Sequence, residues 1–525
     1  MRLGIDFGTT HTVVAIADRG NYPVVSFKTE MEDLQQWYPV LAAVRGDEWT
    51  FAMQAQQHQN ETGWTTLRSF KRLLAGLAPE SAIRLAGQEI SALELLTRYL
   101  AQLHQDLRER SNLEIPPREP LEVLVSVPAN ANSNQRFLTL ESYRRAGFRV
   151  LGMVNEPSAA GIEYAQLYSA KSAGGFRKHL VVYDLGGGTF DVSVIVMRER
   201  QHEVLTDEGI TMLGGDDFDD LLLDLALRSA GIAPDLSESA RSLLLEECRS
   251  RKESLHPNTR KIIIDLGRAI DGAGEIVVTT EEFYKTCMPL VEQTISALET
   301  AVARAFESSG IDWPEVDAIY VVGGSSDLPL VLRMLRDRFG RRVRRSTYPY
   351  ASTAIGLAIA ADAASGYALR ERFTRYFGVW REAEKGQRIC FDPIFVKDAP
   401  LPSACDGPLA CTRTYHPAHN LGHFRYLECS QLTPDGQPAG DITPWDEILF
   451  AMDPALRDEP RLDIVAVMRQ EGIEGQIVEE RYSCDSNGVI AVTIANKTSG
   501  YERTYGLRGL SLANRASRKS LSRKK

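Results

Sequence analysis

Along the chain, two kinds of apolar pattern alternate before a third takes over. Leu3-Gly4-Ile5-Asp6-Phe7-Gly8-Thr9-Thr10, followed by Thr12-Val13-Val14-Ala15-Ile16, reads as strand, Gly/Thr turn, strand. Val181-Val182-Tyr183-Asp184-Leu185-Gly186-Gly187-Gly188-Thr189, followed by Val192-Ser193-Val194-Ile195, repeats that pattern with an aspartate at the same place. Each hairpin precedes a further strand that leads into a helix. Val123 to Pro128 leads into 135–146, and Ala318 to Gly324 leads into 328–338. Each half then has a helix of small residues, Pro157-Ser158-Ala159-Ala160-Gly161-Ile162 and Ser352-Thr353-Ala354-Ile355-Gly356-Leu357. Three elements recurring in one order predict two related lobes, each a sheet with helices packed on it. A charged helical insertion with an apolar stripe of Leu243-Leu244-Leu245 and Leu255 is expected between Pro234 and Lys261.

Beyond Gly366 the period changes to short alternating strands broken by Asp435-Gly436 and Asn487-Gly488, which are hairpin-turn pairs. The expected division is therefore 1–365 for the two-lobed α/β domain, 366–372 for a linker, 373–510 for an all-β domain and 511–525 for a disordered basic tail. A chain of 525 residues is long enough for several cores. Its 43% apolar and 25% charged residues fit folded rather than disordered protein. No run approaches the roughly 20 apolar residues that span a bilayer, which argues against a membrane partner. The net charge of −10 argues against a nucleic-acid partner, with the basic tail as the local exception. An odd count of 7 cysteines with no hydrophobic leader suits a reducing, cytoplasmic location better than a disulfide framework. The Cys405–Cys411 spacing, near His416, His419 and His423, lacks the tight pairs of structural zinc.

Gly/Thr-rich hairpins expose unpaired backbone N–H groups in one concavity, as phosphate oxygens require. One such turn is simply a tight hairpin; two copies, each with an aspartate at its mouth, predict a clamp on a nucleotide triphosphate. Asp6 and Asp184 are placed to hold Mg²⁺ through water, since magnesium takes few protein ligands. The Gly323-Gly324-Ser325 turn opens a helix and offers a third phosphate- or ribose-friendly site. Asp191 reads either as a group that orients an attacking water or as a turn carboxylate.

The runs Gly4 to Thr10, Val127-Pro128-Ala129, Asn155-Glu156-Pro157-Ser158-Ala159-Ala160, Asp184 to Ser193 and Leu213-Gly214-Gly215-Asp216-Asp217-Phe218-Asp219 resemble the seventy-kilodalton heat-shock (DnaK-type) chaperones. The likeness runs from about Leu3 to Ala364 and, more weakly, through Phe391-Asp392-Pro393-Ile394-Phe395 and 484–504. It implies an actin/hexokinase-like (ribonuclease-H-like, duplicated) nucleotide-binding domain followed by a small β-sandwich that binds peptide. It further implies ATP/ADP with Mg²⁺, and K⁺ as an additional ion. Lys71, Glu156, Asp184, Thr189 and Asp191 match the family's catalytic cluster. Gly8, Thr9, Thr10, His11, Gly186, Gly187, Gly188, Thr189, Gly214, Gly215, Lys252, His256, Gly323, Gly324 and Ser325 match its nucleotide contacts. Pro128 and Arg136 match its proline switch and arginine partner. The implied reaction is slow attack of a positioned water on the γ-phosphate. The implied partners are unfolded or extended peptides or one dedicated client, a J-domain co-chaperone and a nucleotide-exchange factor.

The likeness also has departures. The family's two adenine-stacking arginines correspond to Glu253 and Asp327, a serine at the nucleoside is His256, and an aspartate before the last small-residue helix gives way near Tyr350. The family's acidic, leucine-rich linker is absent. The chain ends soon after its last strand, which leaves no room for a helical lid of bundle size. Three readings follow: an ATP-gated peptide-binding chaperone, an ATPase of this fold with a dedicated partner, and a small-molecule kinase, for which no transfer base is visible.

Overall fold

The computed structural model describes residues 1–29, 32–74, 76–168, 177–310, 312–403 and 405–506. It contains two compact units, Met1–Ala131 with Leu138–Glu371, and Arg372 onward together with Asn132–Phe137. The basic tail, and the end of the expected β domain at 510, lie outside the described residues.

The first unit holds two sheets built on one plan. In the first, β1 (Arg2–Phe7) forms an antiparallel hairpin with β2 (His11–Ile16). On its other side β1 pairs in parallel with β3 (Glu122–Val127), which pairs in parallel with β4 (Arg149–Asn155). In the second, β5 (Arg177–Leu185) forms the hairpin with β6 (Phe190–Arg198), and β6 pairs antiparallel with β7 (Gln201–Ile210). The parallel neighbours of β5 are β8 (Val316–Val322) and then β9 (Val343–Arg345). Each sheet thus places its Gly/Thr turn beside the C-terminal ends of parallel strands, where ligands of open α/β sheets bind.

Helix α1 (Ala92–Glu109) precedes β3, and the small-residue helices are α2 (Glu156–Tyr168) and α7 (Ser352–Ala361). Their approach is so close that a Cβ on Gly356 would lie 1.8 Å from the Ala159 carbonyl oxygen. Between β7 and β8 come α3 (Gly215–Ala230), α4 (Glu238–Glu253) and the long α5 (Thr280–Ser309), with α6 (Pro329–Phe339) after β8. Their ends follow local chemistry. Ser237 Oγ accepts from the Ala240 amide to start α4, and Thr279 Oγ1 accepts from Glu282 to start α5. Gly310 ends α5 in the left-handed region at φ 70°. The charged insertion is α4, with Leu244 buried beneath it.

The stretch 366–372, expected to be a linker, is partly a strand. β10 (Ala368–Arg370) pairs in parallel with Gln201–Glu203 of β7 and extends the second sheet. The reason is side-chain alternation: Tyr367 and Leu369 pack against the buried cluster around Val204 and Val322, which a flexible connector would leave exposed.

The second unit stacks two four-stranded antiparallel sheets. One contains β11 (Tyr376–Ala383), β12 (Arg388–Phe395), β14 (Leu421–Leu432) and β15 (Pro438–Ala451). The other contains β13 (Leu409–Tyr415), β16 (Val478–Cys484), β17 (Ile490–Asn496) and β18 (Tyr501–Tyr505). Phe377, Tyr426 and Trp445 of the first meet Tyr482, Val492 and Ile494 of the second in one core. A charge network reaches from the surface to the edge of that core. Arg381 donates to both oxygens of the fully buried Glu480 at 3.0 and 2.9 Å, and Arg413 donates to Asp392 at 3.1 Å. Gly436 and Gly488 sit at φ 74° and 75°, as their Asp-Gly and Asn-Gly turns require.

Candidate nucleotide site

The two Gly/Thr turns close by the same hydrogen bond. The Gly8 amide donates to the His11 carbonyl at 3.1 Å, and the Gly186 amide to the Thr189 carbonyl at 3.0 Å. The turns face each other across the cleft in direct contact. A Cβ on Gly187 would meet Thr10 at 2.7 Å, and one on Gly188 would meet Thr9 at 2.7 Å, so side chains there would force the turns apart. A second loop braces the second turn from behind. The Gly215 amide donates to the Gly186 carbonyl at 3.0 Å, and the Asp216 amide to the Gly187 carbonyl at 2.7 Å.

These turns line a cavity of about 1510 Å³. Of the residues predicted from sequence, Asp6, Gly8, Thr9, Thr10, His11, Lys71, Glu156, Asp184, Gly186, Gly187, Thr189, Lys252, His256, Gly323, Gly324 and Ser325 line it together. Gly188, Gly214, Gly215 and Asp191 do not line it. Gly188 packs on Thr9, and Gly214 and Gly215 support the second turn. Asp191 is buried, with one carboxylate oxygen accepting the Ala129 amide at 2.9 Å. That bond ties the second hairpin to the residue after Pro128. Pro128 is buried in the first unit, and its carbonyl accepts from Ala131 at 3.0 Å. Arg136 belongs to the second unit, where its guanidinium donates to the Asn487 carbonyl at 3.3 Å.

At the phosphate end, one ammonium faces several carboxylates. Lys71 Nζ donates to Glu156 at 2.7 Å, and Ser126 donates to Asp6 at 2.7 Å. Burial, and then Glu156, push the Asp6 carboxyl up to about 6. The same causes push Asp191 up to about 7 and hold Asp184 well above the usual carboxylate range. Burial opposes the Lys71 charge, but Glu156 and Asp6 outweigh it and raise its pKa. His11 is held neutral near 3 by burial and by Arg249, with its ring 4.2 Å from that of Trp37.

This surplus of buried negative charge fits a divalent cation beside Asp6 and Asp184. Among the described residues no group of three or more His, Cys, Asp or Glu side chains is arranged to hold a metal ion. Two carboxylates are as many protein ligands as an ion that keeps most of its waters, such as magnesium, would take. All 7 cysteines are free thiols.

Sequence reasoning missed a charge network flanking the cleft. Arg72 grips both oxygens of Asp217 at 2.8 and 3.0 Å, and Arg249 donates to Asp216 at 2.9 Å. Arg68 lies within 4.0 Å of Asp216, Asp219 and Glu246. The acidic run after Gly215 was its one visible sign; its arginine partners come from distant parts of the chain.

Comparison with known proteins places these features in a family. The family model described as Hsp70 protein matches residues 78–373. The chain is 34% identical over 377 residues to the chaperone protein HscA of Proteus mirabilis, covering 68% of this chain and 57% of that protein. It is 30% identical over 383 residues to the HscA homolog of Pseudomonas putida, covering 70% of this chain and 58% of that one. The homolog of Colwellia psychrerythraea is 30% identical over 379 residues, 69% of this chain and 58% of that protein. The matched region thus spans less than two thirds of these relatives. With the two-lobed fold and its paired hairpins, these matches establish that the chain belongs to the Hsp70 family.

Proposed function

We propose that the chain binds and slowly hydrolyses ATP in the cleft of its first unit, and that nucleotide state governs peptide binding by its β-sandwich. The observation that carries the first part is the apposition of Thr9 and Thr10 with Gly187 and Gly188, beside the Lys71–Glu156 pair. Backbone amides of the two turns grip the phosphates. Lys71, fixed by Glu156, stays protonated and faces the terminal phosphate. Thr189 and Asp184, at the two ends of the second turn, orient water for in-line attack. Catalysis by this set is positioning and charge stabilisation. Mg²⁺, held by Asp6 and Asp184 through water, would supply the charge that shields the attacked phosphate. The bond from Ala129 to Asp191 supports coupling, because a shift of the second hairpin would be felt next to Pro128. The partners this reading implies are extended peptide segments, a J-domain co-chaperone and an exchange factor.

Single-turnover hydrolysis, with and without a hydrophobic peptide, tests the coupling. Acceleration by peptide in the wild type, lost in Thr189→Ala, is expected. Hydrolysis indifferent to peptide would leave an ATPase that serves a dedicated partner.

A further inference from the structure

Between β15 and β16 the chain makes a long excursion, 452–477, past the loop that joins β13 to β14. Both of its ends are fixed. The Met452 carbonyl accepts from Asn496 Nδ2 at 3.0 Å, and the Ile477 amide donates to Thr498 Oγ1 at 3.0 Å. Within it, 466–470 pairs antiparallel with 418–420, His419 lying opposite Arg469. The Asn420 amide donates to the Met468 carbonyl at 3.0 Å, and the Gln470 amide donates to the Ala418 carbonyl at 3.2 Å. The Asn420 side chain completes the pairing, accepting from the Met468 amide at 2.8 Å and donating to the Ala466 carbonyl at 3.1 Å. Asn420 is itself buried, and its carbonyl accepts from the Met452 and Asp453 amides, so this edge is firmly placed.

Every group that 466–470 contributes to these bonds is backbone, and it comes from alternate residues. An edge takes an added strand in this way whatever the side chains of that strand. The side chains here gain little from the contact. Val467 and Met468 are 47% and 59% exposed, and Arg469 reaches to within 3.8 Å of Glu382 at the end of β11. An extended peptide that makes the same backbone bonds therefore has little apolar burial to compete against. We propose that 466–470 is a resident strap, occupying the edge at 418–420 where the β-sandwich takes an extended peptide, and that peptide enters by displacing it. This inference rests on the peptide-binding reading above.

Fluorescence anisotropy of a labelled leucine-rich peptide on the full chain, wild type beside Met468→Pro, tests it. Proline removes the amide from which Asn420 accepts, so the strap holds less firmly. The peptide should then bind about tenfold tighter to the variant, the scale of one lost hydrogen bond. Hydrogen exchange on the wild type reads the same event without a substitution. Saturating peptide should speed exchange at the Met468 and Gln470 amides, which lose their acceptors when the strap leaves. Equal peptide affinity in the two proteins, or peptide bound with both amides still protected, would overturn the strap while leaving a peptide-binding sandwich. No peptide bound by either protein would overturn the peptide reading itself, and this inference with it.

Discussion

The two ends of the cleft are built in different ways. At the phosphate end the two turns present backbone beside the Lys71–Glu156 pair, and the residues behind those turns touch at distances that leave no room for a Cβ. At the far end side chains form the wall, and Gly324 has open space around it. An end made of backbone and close contact tolerates almost no change. An end made of side chains can alter its chemistry without disturbing the fold, and the departures at Glu253 and Asp327 fall there.

This contrast can be broken or sharpened by substitution. The largest effect is expected where α2 and α7 touch. Gly356→Ala puts a methyl against backbone with no rotamer to yield, and should cost about 3 kcal/mol or more in a denaturant melt. A loss under ~1 kcal/mol would mean that this contact is looser than described. Next comes Glu163 in the core behind the second sheet. Burial raises its carboxyl to about 7, and Tyr320 donates to it. The unfolded chain releases this proton near the ordinary 4.5 and the folded chain holds it to about 7. The stability it contributes is therefore fully present below pH 4.5 and is lost as pH rises through 7, by about 3 kcal/mol. Glu163→Gln should remove that slope; melts of the two proteins from pH 4 to 9 that run parallel would contradict it.

A Cβ on Gly214 would lie 2.6 Å from the backbone of Gly187, so Gly214→Ala should displace the second turn. Nucleotide affinity should fall about 100-fold, the scale of a lost set of oriented phosphate donors. Gly324→Ala meets nothing within 4 Å and should change affinity by less than about threefold, the effect of an ordinary surface substitution. Comparable losses in both variants would erase the distinction between the two ends.

The parts of this picture that were legible in the sequence are those encoded locally and twice. The duplicated Asp-to-Thr turns, the strands before them and the small-residue helices all stood in the chain as patterns, and the structure joins them as two sheets on one plan. The Arg68, Arg72 and Arg249 network was not legible, because each arginine meets carboxylates that only the tertiary fold brings near. The same holds for Arg381 and Glu480, 99 residues apart on opposing sheets, where alternation alone marks Glu480 as inward-facing without naming its partner. The strand Ala368–Arg370 inside the 366–372 stretch was not legible, because three residues carry too little periodicity to mark an edge strand. Asp191 was read as water-facing or as a turn group, and only the fold reveals that it accepts the Ala129 amide.

The most direct test of the central claim is single-turnover hydrolysis of γ-labelled ATP by the wild type beside Lys71→Ala. Among the described residues Lys71 is the cation paired within the buried carboxylate cluster, so its loss should slow hydrolysis by about 10²-fold or more, in the range of removing one transition-state donor, while nucleotide still binds. Equal rates in the two proteins, or no nucleotide bound by the wild type, would contradict the account.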